Sequence, residues 1–175
     1  MENDPILNIR SDFMLMAGAA KKAGLTNASD LLIHSLQDNP SNRSFNASST
    51  LTTAIQSSNG YANIKADIAT ILGKNTTKTA LSGNTSGTLG SPTDLFLALN
   101  KVACTWTADR RSTDDPWNVH VSLTDRYDFE YMAWKNSGIV NAFITLLNNW
   151  GATAQQIGAI VPYDITISMI TYKTN

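Results

Sequence analysis

Within 175 residues and 19.0 kDa the chain has room for one domain, and its net charge of −1 excludes the basic field that draws nucleic acid. Charged residues make up only 15% against a usual ~25%, so Asn, Ser and Thr, roughly three residues in ten, must supply much of the polar surface. No apolar run approaches the ~20 residues of a membrane span, and no transmembrane helix is expected.

The first two-fifths of the chain punctuate as helices. Asp4 followed by Pro5 opens an amphipathic helix with Ile6, Ile9, Phe13, Met16 and Ala20 on one face, running to Gly24. Asn27 or Ser29 caps a second, short helix carrying Leu31, Leu32 and Leu36, which Asn39-Pro40 ends. Ser48 or Ser49 starts a third around Leu51 and Ile55, closed by Gly60. A fourth, from about Tyr61 to Leu72, aligns Ile64, Ile68, Ile71 and Leu72. Residues 74–90 are Thr, Ser, Gly and Asn with scarcely an apolar anchor, which predicts a flexible linker. Ser91-Pro92-Thr93-Asp94 then signals a short helix through Leu99.

Beyond Leu99 the period drops to two. Val102, Cys104 and Trp106 alternate with Ala103, Thr105 and Thr107, and a polar loop from Asp109 to Pro116 leads to Trp117, Val119, Val121 and Leu123, an antiparallel hairpin. After Asn136-Ser137-Gly138, a helix over Ile139, Val140, Phe143, Leu146, Leu147 and Trp150 stops at Gly151, and Thr153 with Gln156 resembles a capping box for one more turn. Tyr163, Ile165, Ile167 and Met169 alternate in a final strand. The expectation is an α+β fold, N-terminal helices packed on a small antiparallel sheet in the order ααααα-ββ-α-β. It forms a single domain over 1–175, with a helical region over 1–73, the linker 74–90 and an α+β region over 91–175.

Cys104, the only cysteine, excludes an intramolecular disulfide and a cysteine-based zinc cluster, and its place in an alternating strand marks it as a buried thiol. The N-terminus Met1-Glu2-Asn3-Asp4-Pro5 lacks a basic and an apolar signal region, so no Sec signal peptide is read. A cytoplasmic protein, export by a non-Sec route, and a fragment of a larger chain all stay open.

Chemistry concentrates in residues 109–130, where Asp109, Asp114, Asp115, Asp125, Asp128 and Glu130 stand beside Arg110, Arg111, Arg126 and His120. If the second hairpin strand continues through Tyr127, Asp125 falls on the apolar face of Val119, Val121 and Leu123. There a carboxylate needs a partner and its pKa is pushed toward acid–base use. If the strand ends at Thr124, Asp125 caps a turn. His120, on the polar face, is either an exposed surface residue or a general base near the Asp125 to Asp128 corner. Carboxylates of Asp114, Asp115, Asp125 and Asp128 are oxygen ligands suited to Mg²⁺ or Ca²⁺.

The stretch Asp125-Arg126-Tyr127-Asp128-Phe129 resembles a pattern, Asp-x-Tyr-Asp followed by an aromatic residue, of colicin M-type bacteriocins and C-terminal modules of bacterial polymorphic toxins. The strand–loop–strand that leads into it and the helical stretch Ala28 to His34 also look like the layout of those proteins. The resemblance implies a toxin- or effector-type domain that hydrolyses a phosphodiester of a lipid-linked cell-envelope precursor with a divalent cation. It implies Asp125 and Asp128 as catalytic or metal-binding acids, Tyr127 as a residue shaping the site, and an envelope precursor or an immunity protein as partner. Where the family pattern places a His-Arg pair, this chain has Trp134-Lys135, which leaves His120 as the substitute acid or base. The alternative is a non-enzymatic interaction or structural module of a secretion or phage-like assembly, with Tyr127, Tyr131 and Trp134 on its partner surface.

Overall fold

The computed structural model describes residues 5–90, 93–131 and 139–175, with side-chain surroundings given for all of these except 139–144 and 169–170. The expected caps Asp4 and Ser91, the Asn136-Ser137-Gly138 turn and Trp134 lie outside the described residues. So do the side chains of Ile139, Val140, Phe143 and Met169.

The chain is α+β, in the order α1 (Pro5–Lys22), α2 (Thr26–Ser35), β1 (Arg43–Phe45), α3 (Thr50–Gln56), α4 (Asn59–Gly73), β2 (Ala80–Thr88), α5 (Thr93–Ala98), β3 (Lys101–Asp109), β4 (Trp117–Tyr127), α6 (Ile139–Gln156) and β5 (Tyr163–Thr174). One five-stranded sheet runs β1-β5-β4-β3-β2. The β2–β3 and β3–β4 pairs are antiparallel and β1–β5 is parallel, so the sheet is mixed where an all-antiparallel one was expected. Tyr127 stacks on Tyr163 while His120 meets Thr171, so β4 and β5 run in opposite directions. The expected element order is corrected accordingly, with β1 falling between the helices and β2 ahead of α5.

The chain divides into two interleaved compact units, residues 1–41 with 126–163, and residues 42–125 with 164–175. This division cuts across the expected helical region over 1–73, giving α1 and α2 to the first unit and α3 and α4 to the second.

In the first unit, α1 ends on Gly24, whose φ of +84° suits a residue without Cβ, and the Leu25 amide closes the turn by donating to Ala20. Ser29 does not cap α2. It is buried inside the helix and donates to the Ala17 carbonyl at 2.8 Å, tying α2 to α1. Phe13, Leu36, Ala154, Ala159 and Ile160 form the unit's core, with Trp150 against Phe13 at 4.8 Å between ring centroids. Gly151 does not stop α6, which continues to Gln156. The ring of Phe129 occupies the space a Cβ at 151 would need, so this glycine serves packing rather than termination, and Thr153 and Gln156 lie inside the same helix.

In the second unit, Ser49 and Ser58 accept from the Thr52 and Tyr61 amides and cap α3 and α4. Gly60 lies within the first turn of α4, where a Cβ would strike the Thr88 carbonyl, and it closes nothing. The apolar alternation of β3 and β4 puts Val102, Cys104, Trp106, Val119, Val121 and Leu123 on the buried face, as the sequence predicts.

The linker expectation for 74–90 is overturned, because residues 80–88 form β2, paired with β3 along all nine residues. Gly83 lies opposite Trp106, where an added Cβ would come within 2.7 Å of the indole, and a Cβ at Gly87 would come within 2.6 Å of Ile64. The glycines leave room for large side chains supplied by β3 and α4, so the strand's apolar anchors are not its own residues. The preceding turn is clamped as well. The Arg110 guanidinium donates to the carbonyls of Thr76 (2.6 Å), Lys78 (2.8 Å) and Thr113 (2.7 Å), and lies 4.2 Å over the Trp117 ring.

Candidate functional site

β4 runs through Tyr127, so the first alternative for Asp125 describes the backbone, and its strand parity is that of Val119, Val121 and Leu123. Asp125 is half-buried there. His120, of opposite parity, is on the other face of the same strand, and the structure does not bring these two side chains to one site.

On its own face His120 sits between two partners. Its Nδ1 is 3.2 Å from the Thr171 hydroxyl, and its Nε2 is 3.7 Å from an Asp109 carboxylate oxygen. Only the Thr171 contact is of hydrogen-bond length, and with His120 and Asp109 43% and 63% exposed their mutual attraction is largely screened by solvent. Asp109 also lines a shallow groove of about 580 Å³ with Ala80, Leu81, Ser82, Thr107 and Ala108. Sequence reasoning picked out His120 and missed Thr171. The Tyr163, Ile165, Ile167 alternation, continued to the end of β5, would have put Thr171 on the buried parity, so that signal alone could not have found it.

Beyond the end of β4, Tyr127 is buried in the first unit, stacked on Tyr163 at 5.4 Å and met edge-on by Phe129 at 5.6 Å. Burial holds its phenol well above the ordinary tyrosine range. The Tyr163 hydroxyl donates to the Leu31 carbonyl at 3.0 Å, and the Phe129 amide donates to the Gln155 side chain at 3.0 Å. Phe129 therefore ties the end of β4 to α6, and Tyr127 stacks on the Tyr163 ring whose hydroxyl holds α2. Asp128 follows, with one-third of its side chain exposed and its carboxylate 4.0 Å from Arg126. Burial, with Glu130 adding to it and Arg126 opposing, raises its pKa above the ordinary aspartate value.

Among the hairpin acids, Asp115 accepts from the Ser112 hydroxyl at 3.1 Å and lies 3.6 Å from Arg111. Arg110, expected in the same charged cluster, is the structural clamp described above. Among the described residues, no three His, Cys, Asp or Glu side chains are gathered to hold a metal ion. The Cys104 thiol is buried and pushed up to about 11, the environment of a structural cysteine.

The outer face of the sheet has its own chemistry. Register places Ala80, Asp109 and Asn118 in one row, then Ser82, Thr107 and His120, then Asn84, Thr105 and Ser122, and then Ser86, Ala103 and Thr124. All are exposed or half-buried, and of these twelve positions only Asp109 and His120 carry an ionisable group, while the next row along adds Lys101 beside Thr88 and the exposed Arg126 of β4. The other ten are Ala, Ser, Thr or Asn. No protein-family model, curated protein or solved structure matches the chain.

Proposed function

We propose that the chain is a protein-interaction or structural module, of the kind a secretion or phage-like assembly uses, which binds its partner through the outer face and free edge of the β2–β3–β4 sheet. The observation that carries this reading is the neutral middle of that face, whose ionisable residues stand only at its two ends, Asp109 and His120 at one and Lys101 and Arg126 at the other. A solvated sheet face is polar, and depletion of charged side chains at its middle is one mark of an interface centre. A dense array of hydroxyl and amide groups on a hydrogen-bonded sheet offers many donors and acceptors with little desolvation cost compared with charges.

A second reading is the toxin- or effector-type hydrolase of an envelope phosphodiester acting with a divalent cation, and what favours it is the Asp125-Arg126-Tyr127-Asp128-Phe129 stretch, with Asp125 half-buried on the strand and the Asp128 carboxyl raised by burial and Glu130. In it Asp125 and Asp128 are the acids and metal ligands. His120 enters only if a substrate reaches around the strand on which it and Asp125 face opposite ways.

Expression of the wild type, Asp125→Ala and Asp128→Ala in the bacterial periplasm separates the two. The interaction reading expects no lysis from any of the three. Lysis by the wild type that both substitutions abolish overturns it in favour of the hydrolase.

A further inference from the structure

The two ends of the sheet are built differently. β1 closes one end with only three residues, a length that limits pairing with a foreign strand. β2 closes the other with nine residues, and from Ala80 to Thr88 it contains no charged residue and no proline. Edge strands are ordinarily guarded by inward charges, lysines, prolines or brevity, and β2 has none of these devices. Among the described residues its strand pairing is all to β3, so the peptide groups on its outer side form a row without a strand partner. An extended strand is the chemical complement of such a row.

We propose that β2 pairs antiparallel with the β2 of a second copy of this chain, about a two-fold axis at Asn84. The inference rests on the interaction reading above and names its partner. Two features of the strand select its own copy. First, centring the pair on Asn84 matches all nine residues, and any shift by two shortens the ladder while a shift by one turns inner side chains outward. Second, the pairing sets no charge against a like charge, and the chain's net charge of −1 gives two copies little repulsion. The neutral rows of the outer face continue across the axis, with Ser82 opposite Ser86 of the second copy and Asn84 opposite its own mate.

One nine-residue ladder is a small contact, below the ~1,200 Å² of a standard interface, so the dimer is weak, with a dissociation constant of roughly 10–100 μM.

Sedimentation velocity on the full chain from about 5 μM to about 500 μM tests this directly. The wild type is expected to pass from monomer to dimer over that range. Ser82→Lys with Ser86→Lys, both on the exposed face, places like charges opposite each other twice across the axis and is expected to weaken dimerisation at least tenfold. Ser82→Lys with Ser86→Glu places opposite charges at the same two positions and is expected to restore it. Circular dichroism of each variant checks that the fold is kept. A wild type that stays monomeric throughout overturns self-pairing, as does a dimer that both charge variants leave unchanged or weaken equally. Neither result bears on the periplasmic lysis assay, so failure of the dimer and failure of the interaction reading are told apart.

Discussion

Replacing Arg110 tests the account of how a Gly-, Ser- and Thr-rich stretch becomes an ordered strand. The side chain makes three short hydrogen bonds to carbonyls, two in the 74–79 turn and one in the β3–β4 loop, and covers the Trp117 ring. These bonds are largely exposed, so each is valued at about 0.5 kcal/mol rather than the larger figure for a buried charged donor. With about 1 kcal/mol for the cation over the indole, Arg110→Ala should cost roughly 2–3 kcal/mol. For a chain of this length that lowers the melting temperature by about 5–10 °C. Arg110→Lys keeps the charge but reaches only one carbonyl at a time, and should recover about half of the loss. Thermal and urea unfolding monitored by circular dichroism measure both. An alanine variant within about 0.5 kcal/mol of the wild type, or a lysine variant as stable as the wild type, would refute the clamp.

Gly83→Val should destabilise the chain by several kcal/mol, because Cβ alone already meets the Trp106 indole. Ser82→Val on the exposed face should change stability by less than about 0.5 kcal/mol, and equal effects in urea denaturation would contradict the assigned faces. For Asp128 the sign follows from a folded-state pKa above the unfolded one. Its ionisation opposes folding, a penalty that is absent below the unfolded pKa, grows as pH rises through the interval between the two values, and is complete above the folded pKa. Asp128→Asn should therefore gain stability relative to the wild type on going from about pH 3 to pH 7, and a difference that is flat or of opposite slope removes the burial argument for this carboxyl.

How far the sequence announced these features depends on whether the cause is local. Helices α1 and α4, the cap of α3, read as Ser48 or Ser49 and found at Ser49, and the β3–β4 hairpin were legible because periodicity and capping chemistry act within a few residues. β2 and the continuation of α6 past Gly151 were not, and the reason is the same in both. Gly83, Gly87 and Gly151 are required by the bulk of Trp106, Ile64 and Phe129, partners 22 to 23 residues away, and local reading takes such glycines for breakers. The candidate site divides along the same line. Strand parity separates His120 from Asp125 by sequence alone, whereas the neighbours His120 acquires, Asp109 across the hairpin and Thr171 on β5, depend on register.

That register also gives a structural meaning to the low charge of the chain. Neutral polar residues would be unremarkable if they filled a linker, where solvation is their only task. Placed instead in four rows across β2, β3 and β4, the same Ser, Thr and Asn side chains make the neutral middle of a surface with Asp109, His120, Lys101 and Arg126 at its ends, and it stops at an edge on which β2 carries no charge. Edge pairing leaves that face uncovered and extends it, joining the neutral rows of two copies into one wider surface. The charge substitutions at Ser82 and Ser86 therefore probe both, since those side chains belong to the face and to the last strand before the edge.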